Sequence, residues 1–485
     1  MFARVKKSGR YEYLQIVHNV RVEGRVRQQV VATLGRLDLL RDNGQLDALL
    51  ASCAKFSEHA AVLHAARQPD VQAEQAVHLG PPLVFGRLWQ ELGVPQVLET
   101  LLRGRKFEFP LERAVFLTVL HRLMVSGSDR AAERWCRRYA LDGLEELQLQ
   151  HLYRTMGWLG EPLPQAEQPS DQRLGPRCRK DRIEELLFAR RRDLFSGLQV
   201  AFFDTTSLYF EGQGGESLGQ HGYSKDHRPD LKQMVVGVVL DERGWPLCCF
   251  LLPGNTADIT TLVPVVDQLR TRFGIERVCV VADRGLISAE TIRELEARQW
   301  QYILGARLRS VNEIREEVLS RAGRYHVVQG PRQQSKDPSP LKVKEVWVDE
   351  RRYIVCHNEE QATKDRHDRE AVLRKLTDQL EHGPKSLVGN KGFRKYLRVD
   401  GEFAVDAEKV AEESRFDGKW VLRTNTELTP GEVALRYKDL LQVESLFRNL
   451  KSLLETRPIY HRDRSTIAAT TRSGAMCSAA SWRCC

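Results

Sequence analysis

LQVAFFDTTSLYF (residues 198–210) decides the fold, because an apolar run is interrupted by one carboxylate, Asp204, and two threonines. A short stretch rich in β-branched and aromatic residues reads as a buried strand. Downstream, KQMVVGVVL (232–240) and PLCCFLL (246–252) read as two more strands around the turn Asp241-Glu242-Arg243-Gly244. A helix follows in ADITTLVPVVDQLRTRF (257–273), then the strand RVCVVAD (277–283), the helix SAETIRELEARQ (288–299) and the strand QYILGAR (301–307). Three sequential strands followed by alternating helix and strand predict a mixed α/β layer, its first three strands antiparallel.

That order is the order of the RNase H-like fold. Residues 307–424 break its rhythm with the polar loop QGPRQQSKDPSP, the strand-like pieces KVKEVWV, RYIVCHN and KWVLRTN, and a helical EAVLRKLTDQL. They read as a largely β insertion domain. PGEVALRYKDLLQVESLFRNLKSLLE (430–455) then reads as one long helix that returns to the core.

Upstream, PLVFGRLWQELGVPQVLETLL (82–102) and LERAVFLTVLHRLM (111–124) repeat apolar residues at helical spacing. Ser128 in SGSD is expected to cap a helix carrying Arg130, Arg134, Arg137 and Arg138, an arrangement that suits major-groove reading but also occurs in any helical domain. RCRKDRIEELLFARRRD (177–193) alternates acids with bases and fits a solvated helix face at least as well as a phosphate track. At the N-terminus residues 10–35 read as two strands joined at Glu23-Gly24, with a helical stretch following and a polar linker around 66–80.

Composition sets bounds on this reading. The 485 residues are 42% hydrophobic, enough for a sizeable core, and 74 Lys plus Arg against 65 Asp plus Glu give a formal charge of +9. That excess is compatible with a polyanionic partner without establishing one. The ten cysteines include no C-x-x-C pair, which argues against a zinc or thiol-redox site. No stretch approaches 18 apolar residues and no leader pattern opens the chain, so the expectation is a reduced cytoplasmic protein with no membrane span.

Two carboxylates stand at strand-like ends: Asp204 after VAFF and Asp283 after VCVVA. A rigid strand that stops at solvent suits Mg²⁺ ligation, although an aspartate there also caps the turn that follows. On the long helix, Tyr437, Glu444, Arg448 and Lys451 fall at spacings of seven, four and three, hence on one stripe. A solvated Glu444–Arg448 pair is the plain reading of that stripe; closure of a metal site by Glu444, with phosphates held by Arg448 and Lys451, is the functional one. Phosphodiester cleavage needs an activated oxygen nucleophile, stabilised phosphoryl charge and a neutralised leaving oxygen, and two divalent ions supply all three. Three clustered carboxylates without cations would repel one another, so such a site argues for metal.

Tyr437-x-x-Leu440-x-x-x-Glu444-x-x-x-x-x-x-Lys451 resembles the Tyr-Arg-Glu-Lys signature of DDE transposases of the insertion-sequence-four group, with Leu440 in place of the family's arginine. FFDTTSLYFEG and VVADRGLIS resemble the family's first and second acidic motifs. HGYSKDHRPDLKQ, LLPGNTADITTL, VESLFRNLKSLLETRPIYH and YEYLQIVHN are similar to the same subgroup. The resemblance spans residues 1 to about 461. It implies a transposase that cuts DNA at terminal inverted repeats and joins the 3′-OH ends to target DNA, working as a homodimer on paired ends. It also implies that Asp204, Asp283 and Glu444 bind Mg²⁺ or Mn²⁺, two ions in all, and that Tyr437 and Lys451 contact the transposon-end strand; Arg448 is added from helix geometry, and for Asp258 and Lys232 a place in a wider site and plain capping or solvation fit equally well. The expected organisation is a hairpin-plus-helix unit (1–75), a helical DNA-binding domain (76–195), the first part of the core (196–306), the β-rich insertion (307–424) and the second part of the core with the Glu444 helix (425–462). The tail 463–485 is atypical: the family continues with an apolar helix, whereas codons compatible with residues 472–485 can spell such an apolar segment in another frame. A frameshifted tail would make the chain an inactive copy that only binds DNA ends. A nucleotide phosphotransferase is disfavoured by the absence of G-x-x-x-x-G-K-[ST] and of a G-x-G-x-x-G after a strand.

Overall fold

A continuous apolar run from Val200, buried on both faces, starts the sheet that organises this part of the chain. The computed structural model describes residues 1–22, 25–54, 76–171, 173–191, 199–212, 218–382, 391–398 and 403–461. Two units divide the chain: residues 1–79 with 138–140, and residues 80–137 with 141–485.

In the first unit β1 (Phe2–Ser8), β2 (Tyr11–Val22) and β3 (Arg25–Arg36) form an antiparallel sheet in sequence order, followed by α1 (Leu37–Asp42) and α2 (Gln45–Ala54). The expected hairpin is β2–β3, and β1 is an additional strand. Ser8 pairs with Tyr11, so a two-residue turn joins β1 to β2, with Gly9 at φ +62° where an L side chain would be strained. The turn at Glu23-Gly24 and most of the linker around 66–80 lie outside the described residues.

In the second unit, α3 (Gly80–Glu91), α4 (Val94–Leu102), α5 (Leu111–Met124), α6 (Asp129–Trp135), α7 (Leu149–Leu159) and α8 (Arg179–Arg191) pack around Leu98, Leu117, Leu120, Leu152 and Ile183. Ser128 caps α6 as expected, accepting from the Ala131 N–H at 3.3 Å. The alternating charges of α8 are only partly solvated, with Arg182, Arg190 and Arg191 exposed. Lys180, Asp181, Glu184 and Glu185 are buried, because Arg272 and the backbone of Cys249 supply partners from the sheet side.

The sheet holds ten strands among the described residues, in the order β6-β5-β4-β7-β8-β14-β11-β10-β9, with β15 pairing β4. β4 (Val200–Gly212), β5 (Gln233–Asp241) and β6 (Pro246–Pro253) are antiparallel neighbours. β7 (Cys279–Ala282) and β8 (Gln301–Gly305) run parallel to β4, reached through α9 (Leu262–Phe273) and α10 (Ala289–Ala297). Counted along the chain, the first five strands lie 3-2-1-4-5, the RNase H-like arrangement. β14 (Lys419–Thr424) adds antiparallel to β8, and β11 (Arg351–His357), β10 (Leu341–Val348) and β9 (His326–Gln329) continue from it. The insertion therefore extends the core sheet; it also forms a small antiparallel pair of its own from β12 (Leu397–Arg398) and β13 (Ala404–Val405), and carries α11 (Glu359–His382), α12 (Lys391–Arg394) and α13 (Ala407–Ser414). Ala201, Phe203, Val280 and Ala282 face α9 and α10, while Val200, Phe202, Cys279, Val281 and Ile303 face the opposite layer.

That opposite layer corrects one expectation. Residues 430–455 form two helices, α14 (Pro430–Lys438) and α15 (Leu441–Ser452), instead of one. Between them the backbone tightens: Leu440 N–H bonds the Tyr437 carbonyl and Val443 N–H the Leu440 carbonyl, while buried Leu440 packs into the core. Tyr437 therefore shares no helical stripe with Glu444, Arg448 and Lys451.

Candidate active site

The register of three parallel strands assembles the centre. Phe203 on β4 pairs with Ala282 on β7, and Ala282 pairs with Leu304 on β8. One residue further along each strand stand Asp204, Asp283 and Gly305, one row across the sheet. Side-chain alternation puts this row on the face opposite α9 and α10, toward α14. The two aspartates are thus brought side by side on adjacent strands, which lie about 4.8 Å apart.

Asp204 is not at the end of its own strand, as the sequence suggested, because β4 continues to Gly212. β7 stops at Ala282, and β15 (Ile459–His461) joins β4 only from Phe210. This leaves a notch in the sheet that begins at Asp204.

Each carboxylate has a defined partner. Asp204 accepts from the Thr205 backbone N–H at 2.7 Å, and Asp283 accepts from the Tyr437 hydroxyl at 2.8 Å. Burial pushes the Asp204 carboxyl up to about 6, with Asp283 and Asp258 adding to it and Lys225 and the Thr205 N–H opposing. Burial beside Asp283 likewise holds the Tyr437 phenol well above its ordinary range. Tyr437 reaches the row because Gly305 has no side chain: a Cβ there would lie 2.3 Å from the hydroxyl oxygen.

Glu444 and Arg448 are exposed one turn apart on α15, whose Val443, Leu446, Phe447 and Leu450 are buried against the sheet. Among the described residues no three His, Cys, Asp or Glu side chains stand close enough to share one ion, so the structure brings Asp204 and Asp283 together but not Glu444. Lys451 is engaged: its ammonium is 2.7 Å from Asp226, whose side chain is 3% exposed and also meets Arg457. Asp258 accepts from the Thr205 hydroxyl at 2.7 Å and pairs with Lys225 at 3.0 Å. Lys232 contributes its backbone carbonyl to Phe210.

Sequence reasoning missed Lys225, Asp226 and Gly305. The first two lie in the loop between β4 and β5, and their partners follow from close backbone approach. A Cβ on Gly222 would lie 1.9 Å from the Gly254 carbonyl oxygen, and one on Gly254 2.0 Å from that of Gln233. Glycine at both positions lets this loop meet the segment that carries Asp258.

An oxygen-only pair, one member raised in pKa by burial and by its neighbour, fits a hard divalent cation. An RNase H-like sheet with acids on its first and fourth strands defines a class of enzymes acting on nucleic-acid phosphodiesters. Residues 195–478 match the model of the transposase DDE domain, and residues 3–67 match that of the IS1634 family transposase N-terminal domain. The first match covers more than half of the chain, which therefore belongs to the DDE transposases, the proteins of insertion-sequence transposition. No curated protein matches it. Among the described residues no helix is long and apolar enough to cross a membrane.

Proposed function

We propose that the protein cuts DNA at the ends of its own element and joins the freed 3′-OH ends to target DNA. The observation that carries this is the Asp204–Asp283 pair, set side by side by strand register inside a DDE domain. Asp204 and Asp283 would hold Mg²⁺ or Mn²⁺ from the sheet. Bound there, the ions would polarise the scissile phosphodiester and promote deprotonation of the attacking water or 3′-OH.

The protein's own residues do the rest. Tyr437 keeps one Asp283 oxygen oriented, and the Thr205 N–H does the same for Asp204. Glu444 is the third carboxylate and comes to the pair when DNA lies along α15. Exposed Arg448 meets backbone phosphates, and Lys451 and Tyr437 contact the end strand from the positions where Asp226 and Asp283 now hold them. The Tyr437, Glu444 and Lys451 spacing supports a place beside the insertion-sequence-four group. Arg130, Arg134 and Arg137, exposed on and just after α6, support end binding by the helical block at residues 76–195. Synapsis of two ends calls for a homodimer.

The test is strand cleavage of a duplex carrying the DNA that flanks the protein's own gene, with Mg²⁺ or Mn²⁺, comparing the wild type with Glu444→Gln. Metal-dependent nicks lost in the variant are the expected result. Binding without nicks, with the protein folded, would favour the alternative of an inactive copy that only occupies element ends.

A further inference from the structure

Among the described residues, Lys225 is the ammonium placed against the carboxylates of the notch. Its Nζ donates to the Thr205 carbonyl oxygen and to Thr205 Oγ1, each at 2.7 Å, and lies 3.0 Å from Asp258 Oδ2. Thr205 Oγ1 in turn donates to Asp258 Oδ1 at 2.7 Å, so both Asp258 oxygens are occupied. Thr205 is the residue whose N–H orients Asp204. The loop bearing Lys225 is fastened on both sides: the Lys225 N–H donates to Ser207 Oγ at 2.8 Å, and the next residue, Asp226, is buried against Lys451 and Arg457. A lysine so held cannot swing away without breaking these contacts.

We propose that Lys225 is a positioning residue that withholds Asp258 from the incoming cation, leaving Asp204 and Asp283 as the sheet's two ligands. The inference rests on the metal-site reading given above. An oxygen ligand that is paired with an ammonium and bonded to a hydroxyl is a poor ligand for Mg²⁺, which needs a free lone pair. Removing the ammonium frees the Asp258 carboxylate to turn from its present place toward a cation at Asp204, and removes a positive charge that repels a divalent ion.

The experiment is Mn²⁺ titration of the full chain without DNA, followed by calorimetry and by electron paramagnetic resonance. Lys225→Met is expected to bind Mn²⁺ at least tenfold more tightly than the wild type. The double variant Lys225→Met/Asp258→Asn is expected to return to wild-type affinity, and Lys225→Arg to stay there throughout. A merely structural lysine would give weaker binding and a lower melting temperature in Lys225→Met, with no reversal on the Asp258 background; that result overturns the proposal, as does unchanged affinity. Asp204→Asn is the control for the underlying reading: if wild-type Mn²⁺ binding is absent or survives Asp204→Asn, the metal site falls and the role of Lys225 falls with it.

Discussion

At the residue scale, Asp204 combines a rigid strand with a carboxyl that resists ionisation. Its folded pKa of about 6 lies above the ordinary 3.8, so the fold favours the neutral form. The sign follows: its contribution to stability is complete below pH 3.8 and is lost as pH rises through about 6. At about 1.36 kcal/mol per unit, the buried charge costs about 3 kcal/mol at pH 8 when no cation is bound. Asp204→Asn is therefore expected to raise the melting temperature by a few degrees at pH 8 and by roughly half as much at pH 5, while abolishing cleavage. A melting temperature unchanged or lowered at pH 8 would contradict the buried-charge account. Gly305 makes a second prediction at this scale. Gly305→Ala puts a Cβ against the Tyr437 hydroxyl, so about 1–3 kcal/mol of stability is lost and Asp283 loses its oriented donor. Denaturant melts and cleavage rates should both fall, and Tyr437→Phe in the same chain should relieve the strain without restoring the rate.

At the element scale, what was legible in the sequence and what was not divide along physical lines. Strands β4 to β8 were readable because each is an apolar run bounded by turn residues. Asp204 and Asp283 stood out as acids interrupting or ending such runs. The break between α14 and α15 left no mark in the periodicity, since Leu440 continues the apolar pattern while the backbone tightens to bury it. β1 was missed because FARVKKS has too few apolar residues to stand out beside β2. Lys225 was invisible for another reason: its partners are set by backbone contact between Gly222 and Gly254, a tertiary fact with no period. Gly254→Ala tests that contact. Its Cβ would fall 2.0 and 2.3 Å from two carbonyl oxygens, those of Gln233 and Gln220, so the loop must move. The expected result is at least a tenfold loss of cleavage in a chain whose far-ultraviolet circular dichroism is unchanged; wild-type rates would show that the loop's seat is immaterial.

At the scale of the whole molecule, the helical block and the catalytic sheet are joined by buried charge. Lys180 meets Asp181 at 2.9 Å, Glu184 at 3.2 Å and the Cys249 carbonyl at 2.5 Å, while Arg272 of α9 meets Glu184 at 3.0 Å and Glu185 at 2.8 Å. Burial alone would raise Asp181, yet Lys180 and Arg272 hold its carboxyl below the usual range. Such a network is directional, so it fixes how α8 sits on β6 and α9. Removing one partner leaves buried acids uncompensated, at a cost of about 3–5 kcal/mol. Arg272→Met should lower the unfolding free energy extrapolated from denaturant melts by that amount. A neutral effect would mean that the joint is held by its apolar contacts alone.

The most direct test of the central claim is Mn²⁺ binding at pH 7.5 without DNA, measured calorimetrically on the wild type, Asp204→Asn, Asp283→Asn and Glu444→Gln. Either aspartate variant is expected to remove binding, whereas Glu444→Gln retains most of it because Glu444 stands apart from the pair until DNA is bound. Binding that survives in both aspartate variants, or is lost only in Glu444→Gln, would contradict the central claim.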